Sequence, residues 1–341
     1  MKKLFVTFFT ILFCLTLSLS SGADFQKGLT AYQQGNFVTA FSEFKPLAEQ
    51  GDTSAAFNIA QLYRTGKGVL RDYKKAVKWF RVAAEKNHLE SQYSLALMYK
   101  EGQGVIKNNK IYILWLSMAA GGGHTNAQQN LGFYYYRGLN VKQDFKAALK
   151  WFKLAAEKGI AMAQHHVGIM YNLGHGVLKN NKMAVDWYRL AAEQGYQNSQ
   201  ASLGSMHHKG EGVPQDYKTA VKWFRLSAEQ GDARAQFNLG VMYDKGKGVT
   251  QDFKTAVKWY RLSAEQGLVD AQFKLGVMYL LGQGVTKSYV YGHMWSNIAA
   301  SSSHKDATKV RDIASKKMTS TDISTAQKLA RECVEKKYKE C

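Results

Sequence analysis

The chain has 341 residues, of which 45% are hydrophobic, with 30 Gly, only 2 Pro and 3 Cys, and its formal net charge is +20. This composition excludes a disordered chain, a collagen-like rod and a small fold held together by disulfides. Little proline, together with many Ala, Tyr and Trp residues, favours a helical protein.

The first residues are typical of a secretory signal peptide. Lys2 and Lys3 form a positive region, the stretch 4–19 is apolar, and small residues at 21–23 suit a signal peptidase. We therefore predict cleavage after Ala23 and a periplasmic or secreted protein without a stable membrane span. The alternative is a retained membrane anchor, because the apolar stretch is only slightly shorter than the roughly 20 residues that cross a bilayer.

Beyond this segment, seven tryptophans recur every 36 residues. A fixed period in this range is typical of stacked structural repeats rather than of separate globular domains. We expect every indole ring to be buried where one repeat packs on the next. The seven residues are Trp79, Trp115, Trp151, Trp187, Trp223, Trp259 and Trp295.

Each repeat is predicted to contain two amphipathic helices, named helix A and helix B. In one repeat, the apolar face of helix A consists of Ala235, Leu239, Met242 and Tyr243, and that of helix B consists of Ala256, Trp259, Tyr260, Ser263 and Ala264. Helix A is expected to end at a glycine, because a residue with positive φ stops a helix at low cost. These glycines are Gly66, Gly102, Gly138, Gly174, Gly210, Gly246 and Gly282. Helix B is expected to follow an N-cap side chain, which is Asp72, Asn108, Asp144, Asn180, Asp216, Asp252 or Ser288.

The repeated residues resemble the Sel-one-like repeat (SLR) family, a relative of the tetratricopeptide repeats. The shared pattern is Ala-Gln-x-x-Leu-Gly-x-x-Tyr-x-x-Gly-x-Gly-Val, then Asp, then Ala-x-x-Trp-Tyr, and it covers seven units over 52–303. The resemblance implies an all-α, right-handed α-solenoid superhelix of antiparallel helix pairs that acts as a protein-interaction adaptor, often exported in bacteria. We expect residues 24–51 to form an N-terminal capping helix pair and residues 304–341 to form C-terminal capping helices and a tail.

Two cysteines lie close together near the C-terminus. Cys333 and Cys341 are a disulfide candidate, because export implies an oxidising compartment. A bridge requires the helix to end between them, since eight residues of continuous helix would hold them about 12 Å apart. Two free thiols are the alternative.

Motifs of known catalytic sites are absent from the sequence, so we predict that the protein is not an enzyme and needs no cofactor. Two histidine pairs, His165-His166 and His207-His208, lie on predicted A helices of neighbouring repeats and could approach each other in a metal site. Adjacent histidines point about 100° apart on a helix, however, and no carboxylate completes a ligand set. We therefore expect no metal and assign these side chains to packing or ligand contact.

The face of helix A opposite to its buried stripe is expected to line the concave groove that the resemblance implies. Its residues change between repeats while the framework stays constant, and aromatic and arginine side chains there match those that dominate interfaces. We predict that a protein or peptide partner contacts Phe57, Arg64, Tyr93, Lys100, Phe133, Tyr136, Arg137, His165, Asn172, His208, Phe237 and Asp244. Packing between helices is the alternative for four aromatic residues on this face, Phe57, Tyr93, Phe237 and Phe273.

Helix B carries a basic ridge on its predicted outer face. The ridge consists of Lys74, Lys110, Lys146, Lys182, Lys218 and Lys254, then Lys78, Lys150, Lys222 and Lys258, then Arg81, Lys153, Arg189, Arg225 and Arg261. Because export argues against nucleic acid, binding of an anionic envelope glycan or lipid is the alternative function, and a solvated surface without a ligand is the third interpretation. A β-lactam-type hydrolase, proposed for cysteine-rich SLR relatives, is disfavoured because no Cys lies between Cys14 and Cys333.

Overall fold

A computed structural model describes residues 25–339 and residue 341, and the predicted signal peptide over 1–23 lies outside these residues. Every regular element of the described part is an α-helix, which confirms the all-α prediction. Helix α1 covers 25–33. The other helices are α2 (Phe37–Glu49), α3 (Thr53–Thr65), α4 (Tyr73–Glu85), α5 (Leu89–Glu101), α6 (Asn109–Gly121), α7 (Thr125–Arg137), α8 (Phe145–Glu157), α9 (Ala161–Leu173), α10 (Asn181–Glu193), α11 (Gln197–Lys209), α12 (Tyr217–Glu229), α13 (Ala233–Lys245), α14 (Phe253–Ala264), α15 (Val269–Leu281), α16 (Tyr289–Ser301), α17 (Ala307–Ser315) and α18 (Ser320–Glu335).

The helices form two compact units, one that ends at Lys158 and one that begins at Gly159. Odd-numbered helices from α3 to α15 are A helices, and each is followed by helix B of the same repeat. Within each unit, a helix packs mainly against the helices next to it in sequence, which is the packing of a repeat array. Phe80 and Leu116 are fully buried in the first unit, as is Tyr260 in the second.

The predicted helix ends are confirmed in all seven repeats. The glycine that ends each helix A is left-handed, and each predicted N-cap side chain of helix B accepts a backbone hydrogen bond, such as that from Lys75 N to Asp72 Oδ1 at 3.0 Å. A second residue with positive φ follows two positions later and is glycine except at Asn140. The segment that joins helix A to helix B of one repeat is called the connector here. A Cβ on Gly104 would overlap the backbone carbonyl of Tyr73, so this glycine lets the connector approach helix B of the preceding repeat closely.

The tryptophans are less buried than expected, and the prediction that all seven rings are buried is wrong for six of them. Trp295 is buried, whereas the other six are partly exposed. In those six repeats the residue after the tryptophan is buried, as at Phe80 and Phe152. The buried stripe of α4 runs through Ala76, Phe80 and Ala84. Because successive helical residues point about 100° apart, the preceding indole lies at the border of that stripe.

Two helices cover the last helix B. Helices α17 and α18 both pack on α16, where Trp295 and Ile298 are buried. The side chain of Thr319 accepts the backbone N–H of Asp322, and the two residues form a capping box that starts α18. After α18 ends, the chain turns back, and Cys333 and Cys341 form a disulfide with their Cα atoms 5.5 Å apart.

Candidate partner-binding site

The predicted partner-binding residues occur at recurring positions of helix A, and each compact unit carries its own set. The first unit contains Phe57, Arg64, Tyr93, Lys100, Phe133, Tyr136 and Arg137, and the second contains His165, Asn172, His208, Phe237 and Asp244. The fifth residue of helix A, called the ladder position here, is Phe57, Tyr93, Gln129, His165, Ala201, Phe237 or Phe273.

Rings at the ladder position pack between repeats. Phe57, Tyr93 and His165 each contact the residue that precedes helix A of the following repeat, within their own unit, and Phe273 contacts His304 at the end of the last repeat. The pairs, with the distance between ring centroids, are Phe57–His88 at 5.2 Å, Tyr93–His124 at 4.4 Å, His165–Tyr196 at 5.2 Å and Phe273–His304 at 4.2 Å. Phe57, Tyr93 and Phe237 are half-buried, so packing uses part of each ring and leaves the rest accessible to a partner.

His88 and His124 have a second role, because each is the N-cap of a helix A. Nδ1 of His88 accepts the N–H of Ser91 at 3.2 Å, and Nδ1 of His124 accepts the N–H of Ala127 at 3.1 Å. Burial lowers the pKa of both imidazoles, which favours the neutral form that can accept these bonds. Sequence reasoning missed these caps because histidine is not among the strong N-cap residues.

His165 is enclosed by its neighbours. It is 8% exposed, and its Nδ1 lies 2.9 Å from Ser199 Oγ. Burial, with a smaller effect from His166, lowers the pKa of His165 to about 4. The imidazole is therefore neutral at pH 7, and only a small part of it can contact a partner.

Asp244 is also buried, at 6% exposure. Its Oδ2 lies 3.7 Å from both Lys245 Nζ and Lys274 Nζ and accepts the hydroxyl of Tyr260 at 3.3 Å. Burial raises the pKa of Tyr260, and the Asp244 carboxylate raises it further. Asp244 therefore joins α13 to α14 and α15, so its carboxylate is already used within the protein.

The remaining predicted residues are more accessible. In the first unit, Phe133 is 39% exposed, and the guanidinium of Arg137 lies 6.0 Å from the centre of its ring. Arg64 donates to Gln61 Oε1 at 2.9 Å, so its guanidinium keeps further donors for a partner. Lys100 and Tyr136 in the same unit, and Asn172 and His208 in the second unit, are half-buried.

One pocket of the second unit involves residues that the sequence did not single out. It has a volume of about 450 Å³ and is lined by His165, Asn198, Ala201, Ser202, Ser205, Asp232, Arg234 and Asn238. Asn198, Arg234 and Asn238 were missed because each is an ordinary surface residue when viewed alone. The available signal was Ala201, a small residue at a position that holds a ring in five of the seven repeats.

No group of three or more His, Cys, Asp and Glu side chains in residues 25–339 and 341 is arranged to hold a metal ion. In the same part of the chain, no helix combines the length and apolar character needed to cross a bilayer.

The basic ridge is exposed along the B helices of each unit. Its lysines at the first two positions are exposed throughout, as at Lys74 and Lys218. Some basic side chains at the third position of the ridge form hydrogen bonds within the protein. Arg81 donates to the hydroxyl of Tyr99 at 2.6 Å, and Arg225 donates to that of Tyr243 at 2.7 Å. The ridge therefore presents mainly lysine ammonium groups to solvent.

Stacked pairs of short helices, with glycine connectors and partly variable A helices, define a helical-repeat protein. The Sel1 repeat profile matches residues 53–88, 89–124, 125–160, 161–196, 197–232, 233–268 and 269–304, and the chain belongs to the Sel1 repeat family. Sel1 repeat proteins are generally non-catalytic scaffolds for protein interactions. The resemblance inferred from the tryptophan period and the connector glycines is confirmed.

Several solved structures are similar to this chain. A Sel1 repeat protein from Oxalobacter formigenes is 31% identical with a TM-score of 0.65, and the match covers 85% of each chain. A protective antigen of uropathogenic Escherichia coli with an SLR fold is 29% identical with a TM-score of 0.47, covering 94% of this chain and 85% of that one. Cysteine rich protein B of Helicobacter pylori is 27% identical with a TM-score of 0.30, covering 38% of this chain and 92% of that one. No curated protein matches the chain.

Proposed function

We propose that the protein is an exported, non-enzymatic scaffold that binds a protein or peptide partner through the variable face of its A helices. The observation that carries this proposal is the contrast between two positions seven residues apart. The ladder position mostly holds packing rings. The position seven residues later on the same helix A changes in chemistry from repeat to repeat, and its residues are Arg64, Lys100, Tyr136, Asn172, His208, Asp244 and Leu280. Variation on a constant frame is what recognition of a particular partner requires.

Export to the periplasm or the cell exterior is part of the proposal. It is supported by the signal-peptide pattern over 1–23, with cleavage after Ala23, and by the compatibility of the Cys333–Cys341 disulfide with an oxidising compartment. N-terminal sequencing of the protein recovered from the periplasm or the medium tests the cleavage site. A protein that retains residues 1–23 contradicts it.

Site-specific photocrosslinking in the native cell envelope tests the binding face. A benzophenone amino acid at Phe133 is expected to give a defined crosslinked species, whereas the same group at Leu114, an exposed residue of helix B, is not. Replacing Arg64, Lys100 and Arg137 by Ala should reduce that species about tenfold without changing the circular dichroism spectrum. Equal crosslinking from the two positions, or recovery that the alanine variant leaves unchanged, contradicts the assignment.

A second candidate function is binding of an anionic glycan or lipid by the basic ridge, supported by the exposed lysines at its first two positions. Neighbouring repeats are spaced by about 10 Å, close to the screening length of about 8 Å at physiological salt, so this attraction should be diffuse. Sedimentation with cell-wall sacculi or acidic vesicles should be lost by about 0.3 M salt. Binding that resists salt argues instead for the A-helix face.

A further inference from the structure

The ladder of rings in the second unit is interrupted at Ala201. His165, Phe237 and Phe273 occupy the equivalent position in the other ladder repeats of that unit. His165 packs against Tyr196, the residue that precedes the next helix A, and Phe273 packs against His304 at the corresponding place after the last helix B. Ala201 packs on the same hydrophobic cluster as Phe224 but carries no ring, and the pocket of about 450 Å³ opens at this place, in front of Asp232.

The pocket is lined by hydrogen-bond donors and acceptors, and its lining includes one negatively charged and one positively charged side chain. Oδ1 of Asp232 accepts the N–H of Ala235 at 2.6 Å, which leaves Oδ2 as an acceptor. The side chains of Asn198, Arg234 and Asn238 have no hydrogen-bond or ion-pair partner within the described residues. The one carboxylate is matched by the one guanidinium, and His165 is neutral at pH 7.

This lining selects a neutral ligand group that both donates and accepts hydrogen bonds. The carboxylate of Asp232 and the guanidinium of Arg234 balance each other, so the pocket offers no net charge to a ligand, and a charged group that pairs with one of them lies near the like charge of the other. A phenol hydroxyl offers one donor and two acceptor lone pairs, which match Asp232 on one side and the amide or guanidinium N–H groups on the other. Its aromatic body replaces the ring that Ala201 lacks.

We propose that this pocket binds a tyrosine side chain of the protein partner. The pocket and its phenol preference stand on the geometry above, and the identification of the phenol as a partner's tyrosine rests on the proposed function. A single tyrosine seated here would anchor an otherwise variable interface, because buried aromatic side chains in preformed pockets carry a large share of binding energy.

The probe for this proposal is 4-methylphenol, the side chain of tyrosine, titrated into the full-length mature protein and followed by NMR of backbone amides. We expect saturable shifts in α11 and α13 with a Kd on the order of 1 mM, the range for a ligand of this size. 4-Methylanisole, whose oxygen cannot donate, should bind about fivefold more weakly. Equal affinity for the two compounds, absence of saturable shifts, or saturable binding of N-acetylglucosamine in place of the phenol would overturn the proposal.

Ala201→Phe restores the ring found at Phe237 and should abolish binding of 4-methylphenol while it keeps the helical circular dichroism spectrum and raises the melting temperature. The matched control is Gln129→Phe, which adds the same ring at the ladder position of a first-unit repeat and should leave binding unchanged. If Ala201→Phe does not fold, Ala201→Leu fills the pocket with a smaller side chain and should have the same effect on binding. Wild-type binding by the filled variant contradicts the tyrosine pocket, while crosslinking from Phe133 still tests the scaffold separately.

Discussion

The ring of Tyr93 stacks on the imidazole of His124, with the centroids 4.4 Å apart and the planes at 24°. Tyr93 belongs to helix A of one repeat, and His124 is the N-cap of helix A in the next, where its Nδ1 accepts the N–H of Ala127. The hydroxyl of Tyr93 in turn accepts the side-chain amide of Asn130 at 3.0 Å. One imidazole therefore both starts a helix and joins two repeats.

Substitutions at His124 should separate these two roles. His124→Asn keeps a good N-cap and loses the stacking, so we expect the free energy of unfolding to fall by about 1 kcal/mol. His124→Ala loses both interactions and should cost about 2 kcal/mol. Urea unfolding measures both values, and combining each change with Tyr93→Ala should remove the stacking contribution. Equal costs for the Asn and Ala variants would mean that the cap contributes nothing.

The buried and half-buried histidines predict a loss of stability in mild acid. Burial lowers the pKa of His88, His124, His165, His166, His207, His208 and His293. The unfolded chain then binds more protons than the folded one. The contribution of these neutral imidazoles to the free energy of unfolding is therefore complete above the unfolded pKa of 6.5 and is lost as the pH falls below it. With its pKa at about 4, His165 alone should account for about 2 kcal/mol between pH 7 and pH 5.

The melting temperature should therefore decrease from pH 7 to pH 5. The control is His165→Gln, which places at this ladder position the neutral residue found at Gln129, and it should make the decrease shallower. A melting temperature that stays constant over this range is incompatible with neutral buried histidines.

In six repeats the residue after the tryptophan is buried while the indole is partly exposed, and this difference gives a matched pair of stability predictions. Phe152 is fully buried, whereas Trp151 is partly exposed. Phe152→Ala should cost about 4 kcal/mol, the usual range for truncating a buried aromatic side chain, and Trp151→Ala should cost about half of that. Because interactions in a repeat array are between neighbours, the Phe152 variant should also broaden the unfolding transition. A larger loss in the free energy of unfolding for Trp151→Ala than for Phe152→Ala would show that the indole contributes more to the packing of this repeat than the buried phenyl ring does.

Helix boundaries and repeat length could be predicted from the sequence because their signals are local. Gly102 ends α5 and Asn108 starts α6 through backbone conformation and a hydrogen bond three residues away, both of which are set by residue type. The identity of the buried ring could not be predicted as securely. Trp151 and Phe152 differ by one step on the same helix, and the neighbouring helices decide which of the two faces the core.

The candidate site was less predictable than the fold for a related reason. The variable face of helix A follows from helical periodicity, but the burial of Asp244 depends on Lys274 and Tyr260 from two other helices. The pocket at Ala201 likewise forms from side chains of three A helices and the N-cap of one of them. Such convergence depends on how repeats stack, and a single repeat read along the sequence does not contain it.

Replacing the second glycine of the connector should destabilise the protein more than replacing a glycine that has positive φ but no close neighbours. Gly104 and Gly35 both have positive φ, but a Cβ at Gly104 would overlap the Tyr73 backbone, whereas one at Gly35 would meet nothing within 4 Å. Gly35→Ala should cost about 1 kcal/mol from backbone strain alone. Gly104→Ala should cost at least about 2 kcal/mol more, because the backbone of α4 must move. Equal destabilisation in thermal or urea unfolding would indicate that the connector shifts freely.

The disulfide should stabilise the C-terminal end locally. Cys333 is buried against the last repeats, and the tail that returns to it brings Tyr338 close to Gly267. Closing so short a loop should contribute about 2 kcal/mol, so replacing both cysteines by Ser should accelerate hydrogen exchange in α18 and the tail. Exchange in α10 and α12 should not change, because these helices pack on their own repeats, and those packing interactions reach only neighbours. Faster exchange throughout the second unit would show instead that the disulfide controls the stability of the whole unit.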